Sequence, residues 1–457
     1  MIAHINNISK EKIIINFLFS ALFFSYIAGN LVLNLNIVLI LISGLVFFKT
    51  AIFKIKFSLL DKLVIFLFIY ILLNGLLNNY FYNAENINND YTVLLKSILY
   101  TRFLLLYFII NYLIKNDILN LKIFFISASL AVIFVCLDLL YQFYFGQDIF
   151  GFEGIGRRLG GPFGDELIAG SFILRFGLLS FFLFPFFLKL QNKFFLYSVP
   201  CVLFFLMFSS LILSGNRTPL FMFLILFSLV IFFEKKLRKF FILFVTTVIL
   251  LVSIIYNFHQ STKDSLTSYR DKIKSFIFVF SDENILTENE LEANYRYEKK
   301  SNMFYTFQYK GNFYKMRNTY AKEFKTGYVT WKENKFFGGG IKSFITNCAK
   351  AKIPNCVNHP HNYYLEILSE LGLFGFFLIS IIFSIIFLKS FFKKYFGDGS
   401  YDKYYTITPF IFLFLIEVFP IKNTGSFFST TNATYIFLIL SILVSLLKKQ
   451  YLIEKKT

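Results

Sequence analysis

Charge is scarce in this 457-residue chain: Asp, Glu, Lys and Arg make up 16% of it, against about a quarter in an ordinary soluble domain. Hydrophobic residues reach 56% and mean hydropathy is +0.62. The apolar residues run on unbroken for many positions, which excludes a soluble globule and points to an all-α polytopic membrane protein. Acidic residues are scarcer than basic ones, 27 against 46, leaving a formal charge of +19. Such an excess invites nucleic acid, but the lysines cluster in short loops between apolar runs, which is a topology signal and not a polyanion-binding face. There are only four cysteines. Cys136 and Cys201 fall in apolar runs as packing residues, so no disulfide scaffold is encoded. The lysine-rich side also lacks any Walker or dinucleotide-type glycine loop. Gly338-Gly339-Gly340 falls on the other side, away from nucleotides, so the energy of any synthesis must arrive with the substrate. A lipid-diphosphate donor meets that requirement, with no nucleotide and no cofactor. Phe (67) and Tyr (28) are plentiful instead, as suits a lipid-facing surface.

About twelve spans of roughly 17–25 residues are expected, near 13–29, 31–48, 60–77, 97–114, 121–144, 167–188, 194–213, 217–234, 239–258, 362–388, 405–421 and 432–447. The first run is long enough to remain as a span, so no cleaved signal peptide is needed. Cations crowd every second connection: Lys10 and Lys12, Lys49 to Lys62, Lys115 and Lys122, Lys189 and Lys193, Lys235 to Lys239, Lys389 to Lys403, and Lys448 to Lys456. The positive-inside rule therefore puts both termini in the cytoplasm. Residues 1–258 carry nine spans, with an outward loop at 145–166. Residues 259–361 make one large outward loop, and 362–457 add three spans and a tail. The large loop holds too many aromatics, among them Phe324, Trp331 and Phe336, to be a tether. A partly helical lid over the membrane core is expected. Cys348 and Cys356 lie close together in it, and a disulfide is open to them if the loop faces an oxidising compartment.

The outward cations are the first candidates for chemistry. Arg157 and Arg158 stand among glycines, which let a backbone approach a ligand, and guanidinium forks suit phosphate oxygens. Lipid-headgroup anchoring is the bland alternative. Arg217 follows a Ser-Gly-Asn turn and opens a span, where exposed N–H groups favour an anion; snorkelling is its alternative. Arg102, Asp138, Arg175 and Glu417 lie inside spans. They are functional candidates by default, with an Arg102–Asp138 or Arg175–Asp138 pair as the structural account.

Two of the four histidines, His359 and His361, flank Pro360 where the polar loop meets an apolar run. Imidazole titrates near neutrality, so both are acid–base candidates. A metal site is the rival reading, but zinc wants three or four ligands and only Glu366 is near. Glu366 and Glu370 share a helix face close to its N-terminus; one could hold an imidazole while the other caps structure.

Several stretches in order resemble the O-antigen ligase and O-antigen polymerase superfamily of bacterial envelope glycosyltransferases. These are Asp138 to Gln142 with Gly146 to Gly151, Arg158-Leu159-Gly160-Gly161-Pro162-Phe163, Ser214-Gly215-Asn216-Arg217-Thr218, and Asn334 to Gly340 with Lys335 in place of a proline. The most specific is His361-Asn362 followed by Gly372-Leu373-Phe374-Gly375. The resemblance implies transfer of a glycan from undecaprenyl diphosphate to an acceptor at the outer face of the bacterial inner membrane, without nucleotide or metal. It carries donor-diphosphate binding onto Arg158 and Arg217, with Arg157 as a neighbour, and the base onto His361. His359, Asn362, Glu366, Glu370 and Asp138 are supporting residues. Phe419-Pro420 and Thr424 to Phe428 are similar to the ligase branch, which joins O-antigen to lipid A–core. A polymerase extending the lipid-linked glycan, and a transporter or flippase of the same lipid, are the alternatives.

Overall fold

The computed structural model describes residues 10–54, 57–85, 91–155, 158–183, 193–234, 306–309, 312–315, 319–351, 353, 356–396, 405–420, 422 and 425–454. The first two helices, α1 (Lys10–Ile27) and α2 (Asn30–Phe48), turn over at Gly29, whose φ of 99° suits glycine alone. Next come α3 (Leu59–Glu85), α4 (Thr92–Tyr100) and α5 (Arg102–Lys115), the last two separated by Thr101 only. The Asn120 side chain caps α6 (Leu121–Phe145) by accepting from the Lys122 and Ile123 amides, and left-handed Gly146 ends it. Three apolar helices follow, α7 (Ala169–Leu183), α8 (Lys193–Leu213) and α9 (Arg217–Phe233). Beyond them an antiparallel hairpin of β1 (Thr306–Tyr309) and β2 (Asn312–Lys315) precedes α10 (Thr319–Glu333) and α11 (Phe344–Lys350). The chain then returns to apolar helices: α12 (Tyr363–Phe396), α13 (Thr408–Glu417) and α14 (Thr430–Glu454).

This is a helical membrane protein. Among the described residues six helical stretches are long and apolar enough to cross a bilayer: Asn30–Phe53, Leu59–Tyr80, Thr92–Lys115, Leu121–Phe145, Tyr363–Phe396 and Thr430–Lys449. Helices α7, α8, α9 and α13 contribute shorter apolar stretches. The expected spans each fall on a helix except 239–258, which lies outside the described residues. The hub is α14, whose apolar stretch is 83% buried against 33% for α2; α2 shows Leu31, Leu35, Leu39 and Val46 outward, as a lipid-facing helix does. Aromatic edges lock the centre. The Phe176 ring meets Phe23, Tyr26, Phe172 and Tyr435 edge-on, joining α1, α7 and α14 with contacts worth about 0.5–1.5 kcal/mol each.

Polar groups gather at the two ends of the bundle. At the lysine end, Asp61 of α3 accepts from the Tyr107 hydroxyl at 2.6 Å and pairs with Lys448 at 2.5 Å. There too the Asn16 side chain ties α1 to the loop before α6 through Ile118 O and Asn120 N. At the opposite end the Tyr26 hydroxyl donates to Thr431 O, Thr431 to Asn30, and the Arg102 guanidinium to the Thr430 hydroxyl. Helices α10 and α11 sit at this second end against α12, with the segment between them held by α3, and Cys348 of α11 is disulfide-bonded to Cys356.

Candidate functional site

The second end is centred on the start of α12. Asn362 is its N-cap: the buried side chain accepts from the Tyr364 and Leu365 amides at 3.0 and 3.1 Å and donates to Pro420 O at 2.8 Å. Such a cap contributes about 1 kcal/mol. Immediately before it, His361 has a φ of +52°, a left-handed conformation that histidine adopts more readily than most residues but still at a cost. Buried Pro360 holds it there by packing on α10 at Gly327, where a Cβ would lie 2.7 Å from the proline Cβ. The two imidazole rings are 4.3 Å apart. His361 Nε2 faces the Glu323 carboxylate of α10 at 3.8 Å. His359 Nε2 is buried without a hydrogen-bond partner. Burial, then His361 and Lys342, pull the His359 pKa down to about 4.

A second device fixes the course of α12. At Gly372 the backbone leaves the helical region, with φ 66° and ψ −171°, and the segment 335–340 fills the break. The Leu373 and Phe374 amides donate to Lys335 O and Phe336 O, while the Gly339 and Gly340 amides donate to Ser369 O and Glu370 O. Four bonds lost from the helix are thus remade across the break. Only glycine fits on either side. A Cβ on Gly372 would sit 2.3 Å from Phe336 O, and one on Gly338 would sit 2.4 Å from Glu370 C. Three polar residues one helical turn apart on α3 support the crossing. Tyr70 donates to Leu371 O and Phe337 O, Asn74 to Phe337 O, and Asn78 to Gly338 O.

Both α12 carboxylates are buried and face the backbone. Glu366 accepts from Ser426 Oγ at 2.5 Å and the Phe427 amide at 2.6 Å. Glu370 accepts from the Lys342 and Phe344 amides at 2.6 and 3.3 Å. Neither holds an imidazole: each reaches a loop amide, where a carboxylate is strongly bound, and the imidazole partner is Glu323 of α10. Lys342 Nζ donates to Ser426 Oγ. Through Asn432, which donates to Ser426 O, this network reaches a second one. There Arg175 of α7 grips Glu417 of α13 with Nη2 at 2.6 Å and Nε at 3.2 Å, and also donates to Asn432 Oδ1 at 2.7 Å. Tyr363 and Lys422 add donors to the same Glu417.

Asp138 pairs with neither Arg102 nor Arg175. Its Oδ1 accepts from the Ile149 amide, and Gln142 and Asp148 likewise bind loop amides and a carbonyl, so this polar set folds the loop after α6. Arg175 goes to Glu417 and Arg102 to Thr430, because α7 and α5 bring them to α13 and α14 and not to Asp138. Arg158 and Arg217 are both exposed; Arg157 lies outside the described residues. Their two connections touch. Asn216 donates to Leu167 O at 3.0 Å, and Gly170 allows close approach of Ser214 and Asn216. Among the described residues no group of three His, Cys, Asp or Glu side chains is placed to hold a metal ion.

Histidines on a capped helix start, a lid helix across them and exposed arginines at the same end of a helical bundle make a membrane protein with a one-ended polar site. Residues 202–380, from α8 to α12, match the family model described as O-antigen ligase. The family points to glycosyl transfer of the ligase or polymerase type, with a lipid-linked glycan and an acceptor as partners. No curated protein matches the chain.

Proposed function

We propose that the chain transfers a glycan from undecaprenyl diphosphate to an acceptor hydroxyl at the periplasmic face of the bacterial inner membrane, and that its reaction is ligation of O-antigen to lipid A–core. The observation that carries this is the His361–Asn362 junction, capped and braced as described, inside the stretch that matches the family. Lysines in alternate loops support cytoplasmic termini, and the Cys348–Cys356 bridge suits an oxidising compartment for the histidine end. The connection from Pro420 to Phe427, similar in sequence to the ligase branch, receives Asn362 and Glu366 and so belongs to the framework of the site. In the reaction, His361 takes the proton of the acceptor hydroxyl. The freed oxygen attacks the anomeric carbon, and the bond to the diphosphate breaks with its electron pair. Arg158 and Arg217, with Arg157 beside them, hold the diphosphate as charge builds on it. Membrane lipids surround the bundle.

The glycolipid profile of a deletion strain tests this reading. A ligase deletion accumulates polymerised glycan on undecaprenyl diphosphate and leaves lipid A–core bare. Single repeats on lipid A–core would make the protein a polymerase instead. Purified protein yielding no product from lipid-linked donor and acceptor, in the absence of a second compartment, would favour a transporter.

A further inference from the structure

Helix α10 lies across the histidine segment, and three of its residues fix how it lies. Gly327 meets Pro360 and Leu365 so closely that a Cβ would stand 2.7 and 3.1 Å from their Cβ atoms. Phe324 is buried against Leu365. Glu323 is one turn before Gly327, on the same face, and that register carries its carboxylate to His361 Nε2, 3.8 Å away, with only 13% of the Glu323 side chain exposed. The other charged groups nearby are otherwise arranged. His359 shares the segment with its ring 4.3 Å from that of His361. Lys342 donates to Ser426, and Glu366 and Glu370 bind loop amides.

From this geometry we infer that Glu323 is a positioning residue for His361. The inference rests on the assignment of His361 as base made above. The carboxylate accepts the Nε2 proton, fixes that tautomer and leaves the Nδ1 lone pair to take the proton of the acceptor hydroxyl. When Nδ1 is protonated, the nearby carboxylate stabilises the imidazolium, which makes the imidazole a stronger base. The 3.8 Å separation is an ion-pair distance, and such pairs commonly shorten once substrate is bound. Because Glu323 belongs to the helix that covers the site, docking of α10 and activation of the base are one event.

The test is a pH–rate profile of purified full-length protein with lipid-diphosphate-linked glycan and acceptor, for wild type, Glu323→Gln, Glu323→Asp and His361→Ala. His361→Ala is expected to lose transfer while inserting normally. Glu323→Gln, nearly isosteric but uncharged, is expected to lower kcat by about 10-fold or more with KM little changed, which is within the range of a general-base contribution. Its acid limb should move to lower pH, since the imidazolium loses its counter-charge. Glu323→Asp keeps the charge at a longer reach and should fall between. A loss of rate in Glu323→Gln with an unmoved acid limb, or wild-type behaviour in both Glu323 variants, overturns the inference and leaves His361 as base intact. Should Glu323→Gln fail to insert, the limb of Glu323→Asp decides alone. Full activity of His361→Ala would instead overturn the assignment on which the inference rests.

Discussion

His359 and His361 flank Pro360, yet their surroundings differ. His361 has a carboxylate beside it, while His359 has a buried, unpartnered Nε2, an imidazole neighbour and Lys342, and its pKa is pulled to about 4. An unfolded histidine titrates near 6.5, so between these values the unfolded chain binds the extra proton. Stability contributed by His359 is therefore present above about pH 6.5 and is lost as pH falls toward 4. Hydrogen exchange of the α10 and early α12 amides, corrected for intrinsic rate, should quicken across that window. The quickening should flatten in His359→Phe, and equal pH dependence in both proteins would refute the account. From the sequence, imidazoles where a polar loop meets an apolar run were readable because that change of composition is local, whereas the Asn362 cap came only with the structure. Glu323 was not readable either, because nothing in residues 319–333 says which loop that helix will cover.

At the scale of elements, the backbone exchange between Gly338 and Gly372 decides where α12 bends. Its strength can be isolated by comparing two alanine substitutions at positive φ. Gly29→Ala introduces strain of about 1–2 kcal/mol, since its Cβ would meet nothing within 4 Å. Gly372→Ala adds the same strain and drives a Cβ into Phe336 O and Phe337 N. The Gly372 variant should lose clearly more thermal stability in detergent than the Gly29 variant, and equal losses would mean the crossing is not needed for the fold. Helix positions were largely legible, because in a bilayer the backbone must satisfy itself within each apolar run. The crossing was visible only as glycine spacings. Its support left a readable mark, Tyr70, Asn74 and Asn78 at fourfold spacing in an otherwise apolar span. The partners of Asp138, Arg102 and Arg175 depended on which helices pack together, which no single span encodes.

Across the whole molecule, the Arg175–Glu417 pair joins α7 to α13, with Lys422, Tyr363 and Asn432 closing around it. Removing one partner of a buried pair leaves the other uncompensated, at about 3–5 kcal/mol. Glu417→Gln, which strands both Arg175 and Lys422, should therefore lower the unfolding temperature and the yield of folded protein, and adding Arg175→Met to it should recover part of both. A double variant no better than the single one would argue that the pair matters little to assembly. The pair also imposes a timetable. Arg175 and Glu417 are 242 positions apart, so at about 5–20 residues per second the ribosome needs roughly 12–50 s to deliver the second after the first. For that interval an apolar helix carries a guanidinium whose counter-charge has not yet been made. The early helices must therefore wait at the insertion machinery, or with a chaperone or lipid headgroup, until α13 and α14 arrive. Those helices are thus a late fastening for everything synthesised before them.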